Sequence, residues 1–275
     1  MSSEGDGRGR AVLHGSATEL ARAAKAAAGR HVGVVAERTV REWYRLVEDD
    51  GRRDHHVVKI GGEFREATTD DRVTTRELRP QLHVSAAREP VAESWTAAVE
   101  RALDGAEEAF VAFEDPTFLL TADAPESRLA ELTAFTDRAE VALAVPDDDV
   151  INVGRLARFV RAADDETHRR LADDGIEYLR TVDPTNFGYL RSNWREARRG
   201  LEAVEMTYPQ SKQVHDAIPD PETTPRTLGA ALQALVELGG LDVWGDTVAA
   251  NRYDMTAYDP ERVAAVGAAI DRLDE

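Results

Sequence analysis

The chain has 275 residues, of which 42% are hydrophobic, and its 52 acidic residues outnumber 34 basic ones, giving a formal net charge of −18. This length suits two modest domains, and the apolar share supports hydrophobic cores, which argues against wholesale disorder. The absence of cysteine excludes disulfides and thiolate metal sites, and no apolar run is long enough for a membrane-spanning helix or a signal peptide, so we expect a soluble cytoplasmic protein without a membrane partner.

The first half of the chain alternates short apolar runs with stretches of helical spacing. The apolar runs predict strands at Ala11–His14, Val32–Val35, His55–Ile60, Leu82–Ser85, Ala109–Phe113 and Val141–Val145. Helical patterns lie at Thr18–Ala28, Thr39–Glu48, Val91–Leu103, Leu129–Arg138 and Val153–Ala172. The polar stretch Thr68–Arg79 is predicted to be a loop, and Ile176–Arg180 is a candidate last strand. Together these features indicate an α/β domain over residues 1–184, with a mostly parallel, doubly wound sheet covered on both faces.

A second, mainly helical domain is predicted for residues 185–275, after a turn-rich stretch at Asp183–Asn186. Apolar side chains three and four residues apart predict a long first helix over Leu190–Tyr208, and a short second helix follows around Val214–Ile218. Thr224-Pro225 is a typical helix start and Gly239-Gly240 a typical helix end, which together define a third helix. The remaining predicted elements are short β segments at Leu241–Trp244 and Asn251–Thr256, a turn between them at Gly245–Ala250, and a last helix capped by Asp259-Pro260.

Three helices, a two-stranded wing and a closing helix form the plan of a winged helix-turn-helix, whose third helix enters the major groove of DNA. The face of that helix opposite its buried stripe offers Arg226 to a guanine and Gln233 to an adenine. Its start, with Thr224 and Thr227, favours a phosphate. The other predicted contacts, all with the DNA backbone, are Gln210, Ser211, Lys212, Asn251 and Arg252.

Other side chains of this domain have more than one interpretation. The arginines of the first helix either face DNA phosphates or form a solvated face paired with carboxylates; they are Arg191, Arg195, Arg198 and Arg199. Trp194, Tyr208 and Trp244 are expected in the core rather than stacked on bases. The final helix, Pro260–Leu273, either contributes to a dimer or packs on its own domain.

The opening of the chain resembles the start of a RecA-like or KaiC-like ATPase domain. The strand Ala11–His14 meets Gly15-Ser16-Ala17-Thr18, which has one glycine and no lysine, whereas a working P-loop needs G-x-x-x-x-G-K-[ST] to hold phosphates. Glu114-Asp115 lies where such folds place a metal-linked carboxylate, but the lysine and hydroxyl partners are missing, so a polar loop after a strand is the favoured interpretation. The adjacent His55 and His56 should point to opposite faces of their strand. We therefore expect no cofactor, no metal site and no catalysis.

The acidic composition and the layout both resemble haloarchaeal proteins. Only Lys25, Lys59 and Lys212 are lysines, and an acidic, arginine-rich bias is similar to that of proteins from halophilic archaea. The resemblance to a haloarchaeal family with a RecA-like domain lacking an intact P-loop and a C-terminal winged helix is carried by Asp183–Val204, Tyr208–Ser211, Thr224–Leu238 and Asn251–Asp254. It implies a regulator whose acidic surface keeps it soluble in molar salt.

The leading hypothesis is a DNA-binding transcription regulator that reads double-stranded DNA as a homodimer. Its α/β domain would sense a small-molecule effector, bind a protein partner or help to dimerise. Net charge is no objection, because the Debye length falls to about 3 Å at 1 M salt. The alternatives are a non-enzymatic adaptor, favoured by 15 acidic against 9 basic residues from Phe187 onward, and a degenerate nucleotide-binding switch.

Overall fold

The structure is a computed structural model that describes residues 10–48, 54–61, 73–79, 82–87, 92–120, 129, 131–132, 134–144, 150–244 and 251–274. These residues divide into two compact units. The α/β unit takes the described residues of Arg8–Asp149 and Ala162–Asp164, and the helical unit takes Val150–Arg161 and those of Asp165–Glu275. Within these ranges, no helix combines the length and the apolar character that crossing a membrane requires.

Strands and helices alternate through the first half of the chain, and helices dominate the second. The strands are β1 (Ala11–His14), β2 (Arg30–Val35), β3 (His55–Ile60), β4 (Val73–Arg79), β5 (Leu82–Ala87), β6 (Ala109–Phe113), β7 (Glu140–Ala144), β8 (Val160–Ala162), β9 (Asp242–Trp244) and β10 (Arg252–Asp254). The helices are α1 (Ala17–Ala26), α2 (Val40–Val47), α3 (Ala92–Leu103), α4 (Thr117–Leu120), α5 (Val150–Leu156), α6 (Asp165–Val182), α7 (Pro184–Ala203), α8 (Ser211–Asp216), α9 (Pro225–Glu237) and α10 (Pro260–Leu273). The described positions between 129 and 135 are also helical.

Among the described residues, eight strands form one sheet in the order β4-β5-β3-β2-β6-β7-β1-β8. Every pair from β5 to β1 is parallel, which confirms the α/β class and the mostly parallel sheet. Side chains on one face, such as Val57, pack with Leu20 of α1 and Trp43 of α2. On the other face, Phe113 contacts Trp95 of α3 edge to face. Helices on both faces explain why these strands are continuously apolar.

One predicted loop is partly wrong. Within the polar stretch Thr68–Arg79, residues Val73–Arg79 form β4, which pairs antiparallel with β5 at the edge of the sheet. An edge strand has only one paired side and tolerates charged residues, so its apolar signal is weak. Residues 68–72 lie outside the described part of the chain.

The segment before the predicted boundary at 184 also differs from expectation. The pattern predicts one helix over Val153–Ala172 and a strand at Ile176–Arg180, and both predictions are wrong. The first helix ends at Leu156 and the chain forms β8 before α6 begins. In α6, Ile176 and Leu179 continue a helical stripe that joins the core of the helical unit. The helical unit begins at Val150 rather than at 185, and Ala162–Asp164 belong to the α/β unit.

The helical unit has the element order that the sequence predicts for residues 185–275. As predicted, Thr224 caps α9 and Asp259 caps α10, each with a side-chain oxygen that accepts a backbone N–H bond. Gly239 ends α9 with a φ of 73°, and the Gly240 N–H donates to the Leu235 carbonyl oxygen at 2.8 Å. The predicted turn at 245–250 lies outside the described residues.

Helix α10 packs on its own unit. Its apolar stripe, Val263, Val266 and Ile270, is buried in the same core as residues of α6, α7 and α9. The interpretation that this stripe packs within its own domain is therefore favoured over a role in a dimer.

The close approach of α10 to α7 leads to a stability prediction. A Cβ atom on Gly267 would lie 2.3 Å from a ring carbon of Trp194, whose side chain is buried. We expect Gly267→Ala to destabilise the fold by about 1–2 kcal/mol, because overpacking outweighs the better helix propensity of alanine. The midpoint of urea unfolding measures this change.

Gly188→Ala is the matched control for this substitution. Gly188 lies in α7, and no described atom comes within 4 Å of a Cβ placed there. This variant should be as stable as the wild type or more stable by up to about 1 kcal/mol. Equal destabilisation of the two variants would contradict the packing explanation.

Candidate nucleic-acid interface

Helices α8 and α9 form a closely packed pair. A Cβ atom on Gly229 of α9 would lie 3.2 Å from the Ser211 Cβ at the start of α8, so glycine permits the approach. The segment that joins the helices is tied back to α8, because His215 Nε2 lies 2.9 Å from the Thr223 carbonyl oxygen. The first turns of α9 are thereby held beside the start of α8.

The start of α9 presents two hydroxyls and a guanidinium. Thr224 Oγ1 accepts the Thr227 N–H at 3.2 Å and lies 3.0 Å from Thr227 Oγ1. Arg226 beside them is exposed, and no hydrogen bond or ion pair joins it to another described residue. The structure thus brings together Thr224, Arg226 and Thr227 at a helix end whose partial positive charge favours anions.

A short hairpin follows α9 and is held by contacts to the chain before α8 and to α9 itself. β9 and β10 pair antiparallel, and Gln210 forms a further bridge with Arg252. The Tyr253 N–H donates to the Pro209 carbonyl oxygen at 2.9 Å, so the chain just before α8 runs beside β10. The Tyr253 hydroxyl donates to the Gly229 carbonyl oxygen at 3.2 Å, which ties β10 to α9. Burial raises the pKa of Tyr253 to about 12.

Two of the predicted contact residues are bonded to each other. The Asn251 Nδ2 group donates to Gln233 Oε1 at 3.0 Å, and Gln233 Nε2 donates to Glu237 Oε1 at 3.3 Å. The guanidinium of neighbouring Arg252 is exposed and reaches the Tyr208 carbonyl oxygen at 3.4 Å.

The arginines of α7 are engaged within the helical unit. Arg195 forms an ion pair with Asp271 at 2.7 Å, and Arg191 pairs with Asp274. Arg198 pairs within its own helix, and Arg199 donates to a backbone carbonyl. These contacts favour the interpretation of a solvated, paired helix face over a phosphate-facing patch.

Three basic side chains outside α7 form no ion pair with a described carboxylate. Lys212 of α8, Arg226 of α9 and Arg252 of β10 are exposed, and each belongs to a different element of the helix pair and hairpin. On α7, Arg199 likewise bonds only a backbone carbonyl, as Arg252 does. Apart from Arg199, these exposed cations therefore lie on the elements that the sequence analysis assigns to DNA contact.

The aromatic side chains follow the core prediction only in part. Trp194 is buried beneath α10, as predicted. Trp244 is 46% exposed and its ring centroid lies 4.9 Å from that of Tyr208, so the core prediction is wrong for Trp244. It is the last residue of a three-residue strand, too short for alternation to indicate which side chain turns inward.

A polar cluster lies at the carboxyl ends of β2, β3 and β6 in the α/β unit. Glu114 accepts bonds from the N–H groups of Glu37 at 3.2 Å and Arg38 at 3.4 Å, and pairs with the Arg38 side chain at 3.1 Å. Burial raises the pKa of Glu114 and lowers that of Lys59, whose ammonium donates to the Ala36 carbonyl oxygen. These contacts tie the turn after β2 to its neighbours, which is a structural role for Glu114.

The turn between β1 and α1 does not resemble a phosphate-binding loop. It consists of Gly15 and Ser16, and Ser16 Oγ caps α1 by accepting the Glu19 N–H at 3.2 Å. A P-loop has four residues between its glycines, and their N–H groups surround the phosphates. This two-residue turn offers no comparable set of donors.

The two histidines at the start of β3 point to opposite faces, as predicted. His55 Nδ1 lies 3.1 Å from His31 Nδ1, whereas His56 Nε2 lies 2.7 Å from Ser85 Oγ. Burial is the main cause that lowers the pKa of His56 to about 4. Within the described residues, no group of three or more histidines and carboxylates could hold a metal ion.

Two residues that organise this surface are not among the predicted contacts. Gly229 and Tyr253 bring α8, α9 and the hairpin together, and Gln210, a predicted contact, forms a bridge with Arg252. A glycine inside a predicted helix is the sequence signal that indicates such a close approach.

Comparisons with protein-family models, curated proteins and solved structures find no match for this chain.

Proposed function

We propose that the helical unit is a winged helix-turn-helix that binds duplex DNA, and that the chain is a transcription regulator. The observation that carries this proposal is the position of its available cations. Lys212, Arg226 and Arg252 lie on α8, α9 and the β9–β10 hairpin, hereafter the wing, and they pair with no described carboxylate. On α7, by contrast, Arg191, Arg195 and Arg198 pair with carboxylates of the same unit.

The element contacts support this assignment. In a winged helix-turn-helix, the second and third helices pack together and the third enters the major groove. Here Gly229 allows α8 and α9 to pack, and Tyr253 attaches the wing to α9. The bridge from Gln210 to Arg252 adds the chain before α8 to the wing.

Each proposed contact has a chemical role. Arg226 carries two parallel donors that fit the O6 and N7 acceptors of guanine. Thr224, Thr227 and Ser211 offer hydroxyls, and Lys212 and Arg252 offer charges, to DNA phosphates. The α/β unit would supply an effector site, a protein surface or a homodimer contact.

The acidic composition sets the conditions for this binding. We propose that the protein works in the molar-salt cytoplasm of a halophilic organism, where charges beyond about 3 Å are screened. Counterion release then adds little affinity. Recognition must therefore come from short-range contacts. The three exposed basic side chains Lys212, Arg226 and Arg252 are compatible with that requirement.

Selection from a random duplex library, at low and at molar KCl, tests the proposal. The bound sequences should share a motif. The protein should bind the selected duplex at least about a thousandfold more tightly than an unrelated duplex. Fluorescence anisotropy with the full chain measures both affinities. No enrichment at any salt concentration would exclude sequence-specific binding to duplex DNA.

An adaptor function is the second candidate, and the exposed Trp244 favours it. A tryptophan side chain that is 46% exposed beside Tyr208 resembles the aromatic anchors of protein–protein interfaces. Retained binding of selected DNA by Trp244→Ala would separate this surface from the DNA contacts. The nucleotide-switch alternative gains no support from the two-residue turn at Gly15 and Ser16.

A further inference from the structure

The carboxamide of Gln233 links the recognition helix to the wing. Its oxygen accepts a bond from Asn251 at 3.0 Å, just before β10. Its nitrogen donates to Glu237 at 3.3 Å, one turn further along α9. Glu237 in turn lies 3.6 Å from the guanidinium of Arg158. Both ends of the Gln233 amide are therefore occupied within the helical unit.

This occupancy restricts base reading by Gln233. Recognition of adenine by glutamine needs the amide oxygen and the amide nitrogen together, facing N6 and N7 of the base. One of the two hydrogen-bonding positions on each group is already taken by Asn251 or Glu237, so those bonds set the direction in which the amide faces.

We infer that Gln233 is a positioning residue that fixes the wing against α9. The Asn251–Gln233 bond, hereafter the clasp, sets the place of Asn251 and of the adjacent Arg252. Its role in DNA binding rests on the proposed function. Gln233 then acts on affinity through the phosphate contact of Arg252, and base reading falls to the first two turns of α9, where Arg226 lies.

The clasp is tested first in the free protein, by hydrogen exchange of the amides in Arg252–Asp254. Gln233→Leu and Asn251→Ala should each speed exchange by about two- to tenfold. Glu237→Gln is the matched control, because it changes the same network but leaves the clasp atoms in place. Unchanged exchange in both clasp variants overturns the inference.

The second arm measures the affinity of these variants for the selected duplex and for its single-base substitutions. Gln233→Leu should weaken binding to all of these duplexes by one common factor. The slope of log affinity against log salt concentration should fall by about one unit, as for a lost phosphate contact. The double variant should bind no more weakly than either single variant. A loss confined to one base position, or additive losses, overturns the inference.

The two arms separate failure of the clasp from failure of the proposed function. A wild-type chain that binds no duplex contradicts the proposed function, and exchange in the free protein still decides whether Gln233 holds Asn251. A chain that binds DNA with unchanged exchange in both variants keeps the function and loses the clasp.

Discussion

Replacing Arg226 and Arg252 together by alanine is expected to weaken binding to the selected duplex about a hundredfold. A bidentate arginine–guanine contact accounts for about 1–3 kcal/mol of discrimination, and loss of a phosphate contact adds to it. The combined effect is about 3 kcal/mol, which corresponds to two decades in Kd. Both side chains are exposed and neither pairs with a described carboxylate, so the folded state should be preserved. Anisotropy titrations at fixed KCl measure the change.

A second double variant controls for the loss of two positive charges. Arg195→Ala with Arg198→Ala removes the same charge from the same unit, but these arginines already pair with Asp271 and Glu202. We expect less than about a threefold change, because exposed ion pairs contribute little and screened charges act over short distances. If the control loses as much affinity as the test variant, general electrostatics rather than placed contacts governs binding.

The single variants then separate the two roles. Arg226→Ala should relax the preference at one position of the motif, whereas Arg252→Ala should weaken all duplexes alike. A uniform loss in both would assign Arg226 to a phosphate rather than to a base.

Elements with local signals could be predicted from the sequence. β1, β3 and β6 have the predicted bounds because each is a short run of buried apolar residues between helical patterns. The cap at Thr224 and the glycine end at Gly239 also follow from local chemistry: a hydroxyl satisfies free N–H groups, and glycine accepts a positive φ.

Elements defined by distant contacts could not be predicted in this way. β4 is polar because it lies at an edge, and its pairing with β5 is the contact that makes it a strand. Ile176 favours a strand by its branched side chain, but tertiary packing on the core of the helical unit keeps it in α6. The start of the helical unit at Val150 likewise depends on contacts between distant residues.

The candidate site shows the same division. The exposed positions of Arg226 and Lys212 follow from helical spacing around buried stripes. The bond between Gln233 and Asn251 joins residues 18 positions apart, and only the placement of the wing brings them together. Spacing on α9 alone therefore predicts a base reader and gives no sign of this link between two elements.

Buried His56 is expected to make the stability of the fold depend on pH. The pKa of His56 is lowered to about 4 from an ordinary value of 6.5, mainly because the imidazole is buried beside Ser85. The unfolded chain binds a proton at this site between pH 6.5 and 4 while the folded chain does not. The contribution of neutral His56 to the free energy of unfolding is therefore fully present above pH 6.5. It is lost as the pH falls toward 4, by about 3 kcal/mol in all.

Two variants isolate the contribution of His56 from that of the carboxylates, which also titrate near pH 4. Urea unfolding from pH 7 to 4 should show a shallower loss of stability in His56→Gln than in the wild type, because glutamine can still bond Ser85 without gaining a charge. Val58→Ala removes a buried, non-titrating neighbour on the same strand, so its stability should lie below that of the wild type by a constant amount at every pH. Burial rather than long-range charge is the main cause of the shift, so the difference between wild type and His56→Gln should persist in molar KCl. Parallel curves for His56→Gln and Val58→Ala would show that His56 is protonated in the folded protein near its ordinary pKa.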